Sequence, residues 1–264
     1  MEAALGFVIA LAISLTGVGA GSMTTPLLIL FLHVSPATAV GTALTFATIV
    51  KLASVPVYAA RRQVNLRVLL LLLAGGLPGV IGGAFLLDHV KNGPYQGTLY
   101  EVLGGLIVAT ALFHLYRQIR PNPLSSMRDR ARFLPWIALP IGAEVGFSSA
   151  GAGALGSLVL LSFTRLTAAE VVGTDLCFGL GISFVGSFIQ VSAGNYDLNL
   201  VMKLVIGGLC GALTGSYLAG RIPQRPLRFG LLAMLIVLGF QLALHSQTMT
   251  HPHVHAMLSA AVAR

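Results

Sequence analysis

The sequence predicts an all-α polytopic membrane protein built from two homologous halves related as inverted repeats, and three observations carry that expectation. Of 264 residues, 56% are hydrophobic and 9% charged, whereas a soluble domain is about a quarter charged. Apolar stretches bounded by short polar clusters run from end to end, each near or above the ~20 residues a helix needs to cross a hydrocarbon core. Residues 17–44 align without a gap on 149–176, an offset of 132, with ten of 28 positions identical; so biased a composition gives roughly three or four.

The apolar segments are 3–32, 37–60, 66–87 and 99–117 in the first half and 135–164, 168–193, 198–219 and 226–245 in the second. Runs such as Leu69-Leu70-Leu71-Leu72-Leu73 lack the alternation of barrel strands, so each segment reads as helix. Each half, 1–117 and 135–250, thus has a Gly-broken first segment plus three spanning helices, with a basic linker at 118–134 and a His-containing tail at 251–264. The first segments exceed a single span and are interrupted by GVGAG (17–21) and SAGAG (149–153). Two forms fit: one broken, tilted span, or two half-helices of about 12 residues, some 18 Å each, that re-enter on the same side. Further along, Gly75, Gly79 and Gly83 fall on Gly207, Gly211 and Gly215 at the same offset. Such small-xxx-small rows let helix backbones approach closely.

Charge arbitrates between the two forms. If both first segments span, ten Lys/Arg lie inside and five outside; if both re-enter, twelve lie inside and three outside, with Lys51 in the membrane. Re-entrance satisfies the positive-inside rule better and makes loops 61–67, 117–134 and 221–228 cytoplasmic. Loop 61–67 carries three arginines where 193–199 carries only Asp197, while 220–226 carries Arg221 and Arg225 where 88–94 is neutral. Reversed bias between the halves is what an inverted repeat requires.

Several other readings are set aside. The net charge of +8 sits in short loops between apolar segments, so no nucleic-acid partner is expected. Met1-Glu2-Ala3-Ala4 lacks a basic n-region, which reads as a retained N-terminus. Cys177 and Cys210 lie within apolar segments and form no disulfide framework. Gly151 to Gly156 matches G-x-G-x-x-G, but no βαβ unit surrounds it, and no cofactor is expected. The tail histidines His251, His253 and His255 resemble a metal-binding tract, yet an unstructured tail is the commoner outcome and no metal is assigned. Gly146-Phe147-Ser148-Ser149-Ala150 is one residue short of a nucleophile elbow. An intramembrane hydrolase using Ser148 or Ser149 is one alternative to transport, and a non-transporting membrane subunit is another; otherwise the chain is not expected to be an enzyme.

What the broken segments supply is donors. Each second half-helix starts in mid-bilayer with unpaired N–H groups and a partial positive charge, a site that suits a small anion. The candidate binding residues are Gly19, Gly21, Ser22, Thr24, Thr25, Thr42 and Lys51 from the first half, and Ser148, Ser149, Gly151, Gly153, Ser157 and Thr174 from the second. Glu144 and Asp175 lie deep in apolar segments and are candidate proton-coupling groups or counter-ions, whereas Glu101 and Lys203 lie near segment ends and can snorkel. The expected partners are a small anionic solute and the lipid bilayer, with a homo-oligomer compatible.

These residues resemble the TauE/SafE family of sulfite and organosulfur anion permeases. The likeness rests on GVGAGSMTTPLLIL (17–30), SPATAVGTALTFATIVK (35–51), RRQVNL (61–66), GAGALGSLVLL (151–161) and VVGTDL (171–176). Family members often carry Asp after the first-half Gly-Thr, where this chain has Ala43; the second-half copy, Asp175, remains. The resemblance implies a permease or exporter of sulfite, sulfonates or related sulfur anions, working by alternating access in a bacterial-type inner membrane.

Overall fold

A computed structural model describes residues 2–16, 20–91, 96–119, 131–150, 152–218 and 224–249. In chain order the first half forms α1 (Glu2–Thr16), α2 (Ala20–Leu32), α3 (Pro36–Ala60), α4 (Leu66–Lys91) and α5 (Gln96–Ile119). After a 3-10 turn at Ala131–Phe133 come α6 (Leu134–Ser148), α7 (Ala152–Phe163), α8 (Ala168–Ser192), α9 (Leu198–Leu218) and α10 (Gln224–Met249). No strand occurs among the described residues. Most of the expected linker and all of the expected tail lie outside them.

The second half's long first segment divides at Ser149 and Ala150, where the glycines predict a break; in the first half α1 ends at Thr16 and α2 begins at Ala20, and the expected break at 17–19 lies outside the described residues. The pieces have 15, 13, 15 and 12 residues, or roughly 18–22 Å each at 1.5 Å per residue, so none crosses a bilayer alone. At the second break Ser149 takes a left-handed φ of 62° and its N–H bonds the Val145 carbonyl, ending α6. By length and composition α3, α4, α8 and α9 can cross a membrane. Leu70, Phe85, Phe188, Ile206, Leu213 and Phe240 are exposed, a surface that suits lipid rather than water.

Glycine rows decide the packing. A Cβ on Gly75, Gly79 or Gly83 of α4 would lie 1.8, 2.1 and 2.0 Å from the carbonyl oxygens of Pro135, Leu139 and Ala143 on α6. At the equivalent positions of the other half, a Cβ on Gly207, Gly211 or Gly215 of α9 would run into Ala3, Phe7 and Leu11 on α1. In both seams the partner numbers rise together, so α6 runs parallel to α4 and α1 runs parallel to α9. Each half therefore lends its first helix to the other half. The helices at equivalent positions run the other way: Thr45 meets Ser187 while Lys51 meets Gly179, so α3 and α8 are antiparallel. Gly104 faces Ala243, and Gly239 faces Val108, so α5 and α10 are antiparallel as well.

Two reciprocal clasps join the halves at the helix ends. The Thr42 hydroxyl on α3 accepts from the Asp197 N–H at 3.1 Å, and the Thr174 hydroxyl on α8 accepts from the Asn65 N–H at 3.0 Å. Asp197 and Asn65 in turn cap α9 and α4, accepting from the N–H groups of Leu200 and Val68. The neighbouring glycines make room for the loops, since a Cβ on Gly41 would lie 1.7 Å from the Asn195 oxygen and one on Gly173 2.1 Å from the Gln63 oxygen. The Gly-Thr pair that repeats in the sequence is thus a docking device for the opposite half.

Candidate functional site

The buried polar residues gather where the broken helices meet α3 and α8. Lys51, on α3, is 5% exposed. Its Nζ donates to the Gly179 carbonyl at 3.1 Å and to the Ser183 hydroxyl at 3.0 Å, both on α8. Ser183 is Lys51's own counterpart at the 132 offset, so equivalent positions of the two halves meet here. An ammonium has three N–H donors, and two have acceptors among the described residues.

Asp175, also on α8 and 5% exposed, accepts at Oδ2 from the Ser157 hydroxyl of α7 at 2.6 Å. Its Oδ1 has no partner among the described residues. A Cβ on Gly156 would lie 2.0 Å from that oxygen, so the glycine makes room for the carboxyl. In the first half the equivalents of Ser157 and Asp175 are Thr25 and Ala43. With no carboxyl opposite, Thr25 is wholly buried and its Oγ1 is unpartnered among the described residues.

The remaining expected residues fall into three groups. Ser22 and Thr24 are buried on α2, which touches α7; Gly21 and Gly153 are the second residues of α2 and α7, and Gly19 and Gly151 lie outside the described residues. Ser148 donates to the Glu144 carbonyl and accepts from the Ala150 N–H, while Ser149 Oγ has no partner among the described residues. Among the described residues neither serine bonds a basic side chain. Thr42 and Thr174 occupy the clasps, and Thr42 lies nine residues before Lys51, about 13 Å along the helix.

Glu144 stands apart, on α6. Thr110 of α5 bonds its Oε1 and also donates to the Leu106 carbonyl. Glu144 lines a cavity of about 320 Å³ whose other walls include Phe113, Ile141, Leu158 and Phe163. Its first-half counterpart is Ala12, so this carboxyl belongs to one half only. Lys203 bonds Glu2 at 2.8 Å across the α1–α9 seam, where both are partly exposed.

Sequence reasoning missed Gly179 and Ser183 as the partners of Lys51. The signal was present in the four-residue spacing of Asp175, Gly179, Ser183 and Ser187, which marks one face of a helix.

Residues 3–242 match the family described as "Sulfite exporter TauE/SafE". The chain belongs to the TauE/SafE family. Among TauE/SafE relatives, "Probable membrane transporter protein YjnA" of Bacillus subtilis (strain 168) is 28% identical over 247 residues, covering 90% of this chain and 97% of its own. "Probable membrane transporter protein YdhB" of the same organism is 24% identical over 226 residues, covering 83% and 89%. No solved structure matches. Family and relatives together make this an integral membrane protein of the transporter class, and its apolar helices fit that class.

Proposed function

We propose that this TauE/SafE protein carries a small sulfur oxyanion, sulfite or a sulfonate, by alternating access at a site between its two halves. The observation that carries the reading is Lys51, a buried ammonium with two neutral acceptors and a third N–H to offer. A buried cation without a direct carboxylate partner is costly, and a bound anion offsets that cost. Thr25 Oγ1 and Ser149 Oγ add hydroxyls that lack partners among the described residues. The starts of α2 and α7 add backbone N–H groups aligned with the helix dipole. Asp175 is the group that exchanges a proton or balances Lys51, with Glu144 as a second acidic position.

Helix direction supports inverted halves and re-entrant first segments. With the arginine loop 61–67 on the cytoplasmic side, α4 leads outward, and parallel α6 does so too. Because α3 arrives at that loop, its antiparallel partner α8 also starts on the cytoplasmic side. Segment α6–α7 then begins and ends there, and by the same steps α1–α2 begins and ends outside.

Uptake of labelled sulfite into proteoliposomes tests the reading, with taurine as the sulfonate arm. Saturable flux that is lost in Lys51→Met supports it. Wild-type protein that moves neither anion sinks it.

A further inference from the structure

A row of buried polar side chains runs along α8 beyond the Lys51 centre, through Ser183 and Ser187 to Gln190. The row faces α3, where the Ser187 and Thr45 hydroxyls meet at 2.8 Å. Its far end has an orientation that hydrogen-bond chemistry fixes. Lys91, at the end of α4, reaches Asn195 Oδ1 at 2.7 Å. An ammonium only donates, so the Asn195 amide turns its oxygen to Lys91 and its nitrogen the other way. That nitrogen donates to Gln190 Oε1 at 2.6 Å. Gln190 is therefore held with Nε2 as its free end. The residue is 0% exposed, and Nε2 has no partner among the described residues.

A buried N–H without an acceptor is costly. Here it ends a chain that starts at a cation, so each amide in the chain turns its oxygen toward Lys91 and its N–H groups away from it. We propose that Gln190 Nε2 is a second binding station for an oxyanion, oriented by Lys91 through Asn195. The station rests on the reading of this protein as an anion carrier. It lies at the end of α8, about four turns from Asp175, and serves solute approaching from the side of the α8–α9 loop. The other half has no copy, because Tyr58 and Gln63 occupy the positions equivalent to Gln190 and Asn195. Asp88, paired with Lys91, tempers the charge at the start of the chain.

Sulfite uptake kinetics in proteoliposomes provide the test, comparing wild type with Gln190→Leu, Gln190→Glu and Lys91→Met. Gln190→Leu should raise KM roughly tenfold with kcat largely kept, the size of one hydrogen bond to a charged acceptor. Gln190→Glu should raise it further, because a carboxylate faces the anion. Lys91→Met, altered at a partly exposed position, should raise KM in the same direction, and it carries the test if either Gln190 variant does not fold. Wild-type KM in the folded variants overturns the station while leaving anion transport standing, and would mean that the amide holds only water. No sulfite flux in wild type overturns both.

Discussion

Lys51 and Thr25 define the proposed solute site by what they have left over rather than by what they bond. Gly179→Ala places a methyl 2.8 Å from Lys51 Nζ. The ammonium is the end of a flexible chain and can swing aside, so the melting temperature in detergent should change little while sulfite flux falls several-fold. Two threonines allow a sharper contrast. Thr25→Val removes a hydroxyl with no partner among the described residues, so the fold should be unharmed or slightly stabilised while anion affinity drops. Thr42→Val deletes the acceptor for Asp197 and should cost about 1–2 kcal/mol of stability, seen as a lower melting temperature. Equal melting temperatures for both would show that the clasp contributes nothing. The sequence made both threonines visible as donors beside glycine breaks or repeats. It could not separate them, because identity at the 132 offset marks a shared contact without naming the partner. The partner of Thr42 lies 155 positions away.

Among helices, the glycine rows were the most legible feature, since a four-residue spacing on an apolar segment has one physical use, close backbone approach. Their direction was not legible: parallel and antiparallel seams demand the same small residues. The structure supplies an internal control for their role, because Gly82 of α4 has nothing within 4 Å of an added Cβ. Gly79→Ala forces a methyl to 2.1 Å from the Leu139 carbonyl oxygen, an atom of a packed backbone that cannot step aside. It should lower the melting temperature, with overpacking costing about 1–3 kcal/mol. Gly82→Ala should leave it unchanged or raise it, because alanine favours a helix over glycine by roughly 0.5–1 kcal/mol. The same response from both would mean that the α4–α6 seam is looser than its carbonyl contacts require. The break in the second half's first segment was also legible from glycine density, since α6 ends at Ser148, within a residue of the expected position.

At the scale of the whole molecule, sidedness follows from chaining helix directions onto one assignment, the cytoplasmic placement of loop 61–67. Single cysteines at Gln63 and Gln224, in a background lacking Cys177 and Cys210, should label from the same side of sealed vesicles, and one at Asp197 from the opposite side. Labelling of Gln63 and Gln224 from opposite faces would restore full spans for the first segments. The exchange of first helices between halves also has a consequence in time. On a growing chain, α1 emerges before α9, the surface that receives it, so Ala3 must wait for Gly207. At the usual 5–20 residues per second that is roughly 10–40 s during which a short apolar helix has no seat. The nascent protein therefore depends on whatever shelters α1 at the membrane until synthesis is nearly finished, and a ribosome stalled before α9 should leave a product that proteases remove.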